Sequence, residues 1–121
     1  VISGEFIDRE AIVLLPIFDD AGNPRNVEVV IDTGFTGTLS LPLHLVRNLG
    51  LKPKGKTQIF TAGERPEWVT VYTASVIWQE AQHDVDVYEL TGSPLIGIDM
   101  LDGSLLTIEV RRGGLVEIEL L

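Results

Sequence analysis

Val27-Glu28-Val29-Val30-Ile31-Asp32-Thr33-Gly34-Phe35-Thr36-Gly37-Thr38-Leu39-Ser40-Leu41 frames the rest of this 121-residue chain. A β-branched run from Val27 to Ile31 has the composition of a buried strand, and it ends on an acid followed by two closely spaced glycines. An unpaired carboxylate at the end of an apolar strand costs several kcal/mol if it is buried, so Asp32 must be solvated, hydrogen-bonded or functional. Gly34 and Gly37 permit positive φ and close backbone approach, which suits a carboxylate held by neighbouring peptide N–H groups. Taken alone, Asp32-Thr33-Gly34 is also ordinary turn chemistry.

Upstream, the apolar run Ala11 to Leu15 predicts a strand within residues 7–18, and Asp19-Asp20-Ala21-Gly22-Asn23-Pro24 closes a hairpin onto Val27 to Ile31. Those acids lack the alternating ligands and the closing Glu of a calcium loop. Downstream, Leu39 and Leu41 flank Ser40, and Pro42 starts a helix running to about Leu49, with Leu45, Val46 and Leu49 inward and Gly50 as its cap. Thr57 to Phe60 and Trp68 to Trp78 read as two arms of a hairpin, with Thr61 to Glu67 as its loop. Asp84 to Tyr88 alternates polar with apolar, as a half-buried strand does. Leu95-Ile96 is a short strand ending at Gly97, and Ile98 to Leu101 forms a helical turn. Leu105 to Val110 and Leu115 to Leu120 are strands joined through Arg111-Arg112-Gly113-Gly114, and the last is expected to leave a free edge at the terminus.

Asp32-Thr33-Gly34-Phe35-Thr36-Gly37 after an apolar strand, Leu39-Ser40-Leu41-Pro42 soon after it, and Pro94-Leu95-Ile96-Gly97-Ile98-Asp99-Met100-Leu101 much later together resemble the retropepsin-like aspartic proteases. The similarity is to the small single-domain bacterial and archaeal members of that family, and it covers nearly the whole chain. It implies a mostly β, single-domain retropepsin-like closed β-barrel or sandwich over residues 1–121, with one or two short helices, working as a two-fold homodimer. It implies that Asp32 is the catalytic acid, that Thr33 and Gly34 support its loop, and that Gly97 leaves room for that loop. The hairpin at about 57–78 would be the flap over bound peptide, with Ala62, Gly63 and Glu64 near its tip. A plain surface hairpin explains Gly63 equally well from sequence alone. Phe35 and Thr36 depart from the family, where smaller or polar residues are common, and a ring at 35 would touch the packing beside the acid.

Composition narrows the remaining possibilities. The chain is 45% hydrophobic and 22% charged, with a mean hydropathy of +0.24, as a folded globular domain should be. A net charge of −9 opposes nucleic-acid binding, which needs clustered cations. The one basic cluster, Arg47, Lys52, Lys54 and Lys56, reads as a solvated face. The absence of Cys removes disulfides, thiolate metal sites and cysteine nucleophiles, and it is compatible with a reducing cytoplasm, the expected location. His44 and His83 stand alone as surface residues, so no metal and no cofactor are expected. Glu5, Asp8, Arg9 and Glu10 interrupt the place where a signal peptide would be apolar, and no stretch reaches membrane-spanning length. A start at Val1 points to residues upstream.

Aspartic-protease chemistry needs two carboxylates sharing one proton, an ionised one to activate water and a protonated one to polarise the scissile carbonyl. No other Asp here precedes Thr-Gly or Ser-Gly. The expected function is therefore an aspartic endopeptidase acting on a peptide or protein, with one acid from each chain of a homodimer and an acidic to mildly acidic optimum. Two alternatives stand beside it: an inactive dimerisation or peptide-binding module on the same scaffold, and an unrelated β-barrel in which Asp-Thr-Gly is only a turn.

Overall fold

Apolar residues at alternate positions set the inner faces of most of the long strands in a computed structural model that describes residues 1–60 and 65–121. Among the described residues there are ten strands and two short helices. They run β1 (Ile2–Ile7), β2 (Glu10–Phe18), β3 (Pro24–Ile31), β4 (Leu39–Leu41), α1 (Leu43–Leu49), β5 (Lys52–Phe60), β6 (Pro66–Trp78), β7 (Ala81–Glu89), β8 (Leu95–Ile96), α2 (Ile98–Leu101), β9 (Ser104–Ile108) and β10 (Leu115–Leu120). All ten strands belong to one sheet, in the order β5-β6-β7-β4-β8-β3-β2-β1-β10-β9, and an extra pairing of Ile17 with Val76 joins β2 to β6 across it. The chain is thus mostly β and builds one core.

That core follows from the period of two. Ala11, Val13, Leu15 and Ile17 of β2 point inward with Val27, Val29 and Ile31 of β3, Tyr72, Ala74, Val76 and Trp78 of β6, and Val116 and Ile118 of β10. Val46 and Leu49 of α1 and Met100 and Leu101 of α2 join the same core. Leu15 is 1% exposed and its neighbour Leu14 is 54% exposed, so the two leucines separate burial from residue type. Leu15→Ala is expected to cost about 2–5 kcal/mol in urea denaturation. Leu14→Ala should stay within about 0.5 kcal/mol of the parent.

The β2–β3 hairpin is built as the sequence implies. Asp19 Oδ1 accepts from the backbone N–H groups of Ala21 and Asn23, and Arg25 donates to Oδ2 at 3.1 Å. The N–H of Asn23, the charge and hydrogen bond of Arg25, and the N–H of Ala21 hold this carboxyl below the usual carboxylate range, against the opposing effect of its burial. A depressed folded-state pKa adds stability above the unfolded value and loses it as the pH falls through the folded value. Asp19→Ala should therefore melt below the parent at neutral pH, and the gap in thermal midpoint should close on acidification.

Several expectations need correction. The stretch before residue 7 is itself a strand, β1, joined to β2 through Asp8 and Arg9, both at positive φ. A matching two-residue turn, Gln79 and Glu80 at φ 51° and 65°, joins β6 to β7. Pro66 and Glu67 lie in β6 rather than in a loop, opposite Phe60 and Ile59. The hairpin starts at Lys52 rather than Thr57, and the distal half of β6 pairs with β7. Pro42 caps α1 from an extended conformation instead of entering it. The terminal strand has no free edge, because β10 pairs with β1 on one side and β9 on the other. No helix among the described residues is long and apolar enough to cross a membrane.

Candidate active site

The site is positioned by a crossing of strands. β3 and β4, joined by the loop that carries Asp32, do not pair with each other, because β8 inserts between them, parallel to β3 and antiparallel to β4. The loop must therefore pass over the end of β8, and backbone hydrogen bonds fasten it there. Asp32 N–H donates to Ile96 O at 3.0 Å, Gly97 N–H to Thr38 O at 3.1 Å, Ile98 N–H to Phe35 O at 2.8 Å and Asp99 N–H to Gly37 O at 3.2 Å. Four bonds from one short segment fix where Asp32 emerges.

Two glycines make that crossing possible by their size. A methyl group at Gly97 would fall closer than 3.0 Å to the carbonyl oxygens of Gly37 and Phe35 and to the Phe35 ring, and one at Gly37 would strike the same ring. The Phe35 ring packs edge-on to Tyr88, with centroids 6.0 Å apart, so the large side chain folds back over the glycines. Positive φ is not involved at Gly34, Gly37 or Gly97. Space, rather than conformational freedom, is what the sequence provides here.

Asp32 is half-buried, and its Oδ1 accepts the Gly34 N–H at 2.9 Å. Thr33 and Gly34 are exposed on the same turn. Ala62, Gly63 and Glu64, read as the flap tip, lie outside the described residues. The arms that lead to them are described, and they form the opposite wall. Asp32, Gly34 and Phe35 on one side, Ile59, Phe60, Glu67 and Val69 on the hairpin, and Glu89, Leu90, Thr91 and Leu95 at the end line a cleft of about 540 Å³. A cleft of this size lined by both apolar and polar groups is the form of a binding site.

Sequence reading missed three residues here. Glu67, expected in the hairpin loop, lies in β6. Glu89 continues the inward-facing series Val85 and Val87, so an acid at that register was the available signal. Buried Tyr72 donates its hydroxyl to Glu89 Oε1 at 2.6 Å. That hydrogen bond, with burial and the negative charge of Glu89, raises the tyrosine pKa and keeps the hydroxyl protonated. Asp99 and Asp102 are exposed and lie outside this cleft, in keeping with solvent-facing acids. Among the described residues no group of three or more His, Asp or Glu is arranged to hold a metal ion.

No family model matches the chain, and no curated protein matches it. Among solved structures, its fold is similar to that of EIAV protease in complex with the inhibitor HBY-793. The match has a TM-score of 0.57 and 17% sequence identity, and it covers 78% of this chain and 86% of that one.

Proposed function

We propose that this chain is one half of a homodimeric aspartic endopeptidase of retropepsin type. The observation that carries the reading is the carboxylate of Asp32, carried on a loop that backbone hydrogen bonds fasten beside a cleft of about 540 Å³. The fold shared with a protease supports it. Two copies meet about a two-fold axis, closing the barrel-like body around one shared cleft. Their Asp32 side chains then share a proton, one activating water and the other polarising the scissile carbonyl. Thr33 bonds across the pair and stiffens the two loops. Gly34 leaves room for substrate and water, Ala62, Gly63 and Glu64 belong to the substrate-binding residues, and the peptide adds as a strand by backbone hydrogen bonds.

One observation favours a second reading. The Gly34 N–H bonded to Asp32 is also what a purely structural acid would have, so a peptide-binding module without turnover is the alternative. Incubation of the full chain with a mixed peptide library from acidic to neutral pH, with and without a statine-type inhibitor, separates the two. Inhibitor-sensitive cleavage by a dimer supports the endopeptidase. A dimer that binds peptides and cleaves none at any pH supports the module.

A further inference from the structure

The cleft that holds Asp32 carries two more acids, Glu67 and Glu89, and no Lys, Arg or His among its described lining. They enter from different elements, Glu67 from β6 beside the hairpin end and Glu89 from the last position of β7. The rest of the lining includes Phe35, Ile59, Val69, Leu90 and Leu95. Carboxylates in a cleft whose described lining holds no cation favour a cationic partner.

Glu89 is the better placed of the two. It is half-buried, whereas Glu67 is exposed. Tyr72, only 9% exposed, reaches it diagonally across the β6–β7 pair and takes one lone pair of Oε1. The side chain is thereby held in one position while the remaining acceptor capacity is free for a ligand. Among the described residues the ion pairs are Arg25 with Asp19, Lys54 with Asp86 and Arg111 with Glu109, and none neutralises Glu89. Arg47 acts on the Tyr72 hydroxyl from α1 without forming a salt bridge to Glu89.

We infer that Glu89, held by Tyr72, selects peptides that place an arginine or lysine side chain in this cleft beside the scissile bond. The inference rests on the endopeptidase reading and adds a substrate class to it: extended peptides, apolar around the cut, with one basic residue. An Arg fork or a Lys ammonium donates to the acceptor sites of Glu89 that Tyr72 leaves open, and Glu67 in the same cleft adds to the attraction. The net charge of −9 raises the local concentration of cationic peptides.

The test is binding to the full chain carrying Asp32→Asn, at neutral pH, read by fluorescence anisotropy. A set of apolar labelled octapeptides carries Arg, Lys or norleucine at each position in turn. At one position Arg and Lys should bind at least about tenfold more tightly than norleucine, less so at high salt. Adding Glu89→Gln, which keeps an acceptor for Tyr72, should remove the preference, so that the Arg, Lys and norleucine peptides bind that variant within about twofold of one another. Tyr72→Phe should shrink the preference without abolishing it, which keeps the question open to test if the Gln variant does not fold. Equal binding of the three peptides at every position, or a preference that survives Glu89→Gln, overturns the inference. Equal binding alongside Asp32-dependent cleavage by the parent removes the basic preference alone and leaves the endopeptidase in place. Absence of both binding and cleavage removes both.

Discussion

Asp32→Asn is expected to lower peptide cleavage by at least about a thousandfold while leaving fold and dimer intact, since general acid–base catalysis contributes about 10²–10⁴-fold. The substitution is nearly isosteric. Its amide oxygen still accepts the Gly34 N–H, so the turn between β3 and β4 keeps its shape. An amide can neither take a proton from water nor share one with a symmetry mate, and each dimer loses both roles at once. At a fixed total chain concentration, replacing half of the parent chains by variant should leave roughly a quarter of the activity under free subunit exchange, the fraction of pairs that are wholly parental. Activity that falls only by half on mixing would mean that each chain works alone, contrary to a shared site.

Of the three glycines around Asp32, Gly34, Gly37 and Gly97, the last should be the most damaging to replace by alanine. The new methyl meets the Gly37 and Phe35 carbonyls, and these accept from Asp99 and Ile98. Neither oxygen can retreat without breaking the bonds that seat the Asp32 loop on β8, so the cost is that of overpacking, about 1–3 kcal/mol. Cleavage should suffer more than stability, because displacement of the loop moves the carboxylate. Gly55→Ala is the control. Nothing lies within 4 Å of its added methyl, and it should stay within about 0.5 kcal/mol of the parent in urea denaturation. A Gly97→Ala protein as stable and as active as Gly55→Ala would contradict the packing described here.

The parts legible in sequence are those governed by local chemistry. The β-branched run before Asp32, the αL Gly50 ending α1, and the Leu95-Ile96-Gly97 strand all carry their signals within a few residues. The two-residue turns at Asp8-Arg9 and Gln79-Glu80 were silent, because positive φ normally announces itself as Asn-Gly or Gly, and neither pair contains glycine. Without the first turn β1 went unread, and without β1 the strand β10 looked like an edge. Pairing partners are a property of the whole sheet, and no pattern inside residues 115–120 says that both sides are taken. Asp32 itself was legible because an acid ending an apolar strand contradicts its surroundings. Glu89 makes the same contradiction one register beyond Val87, yet it reads as the polar end of a strand until Tyr72 and the hairpin arrive from elsewhere in the chain. The cleft walls come from distant segments, which is why the acid was readable and its enclosure was not.

The most direct measurement is a crystal structure of the assembled pair at mildly acidic pH. Two Asp32 carboxylates within about 3 Å of each other across a two-fold axis, above a continuous cleft, is the expected result. A dimer whose Asp32 side chains face separate surroundings, or a chain that stays single at crystallisation concentrations, would contradict a shared catalytic site.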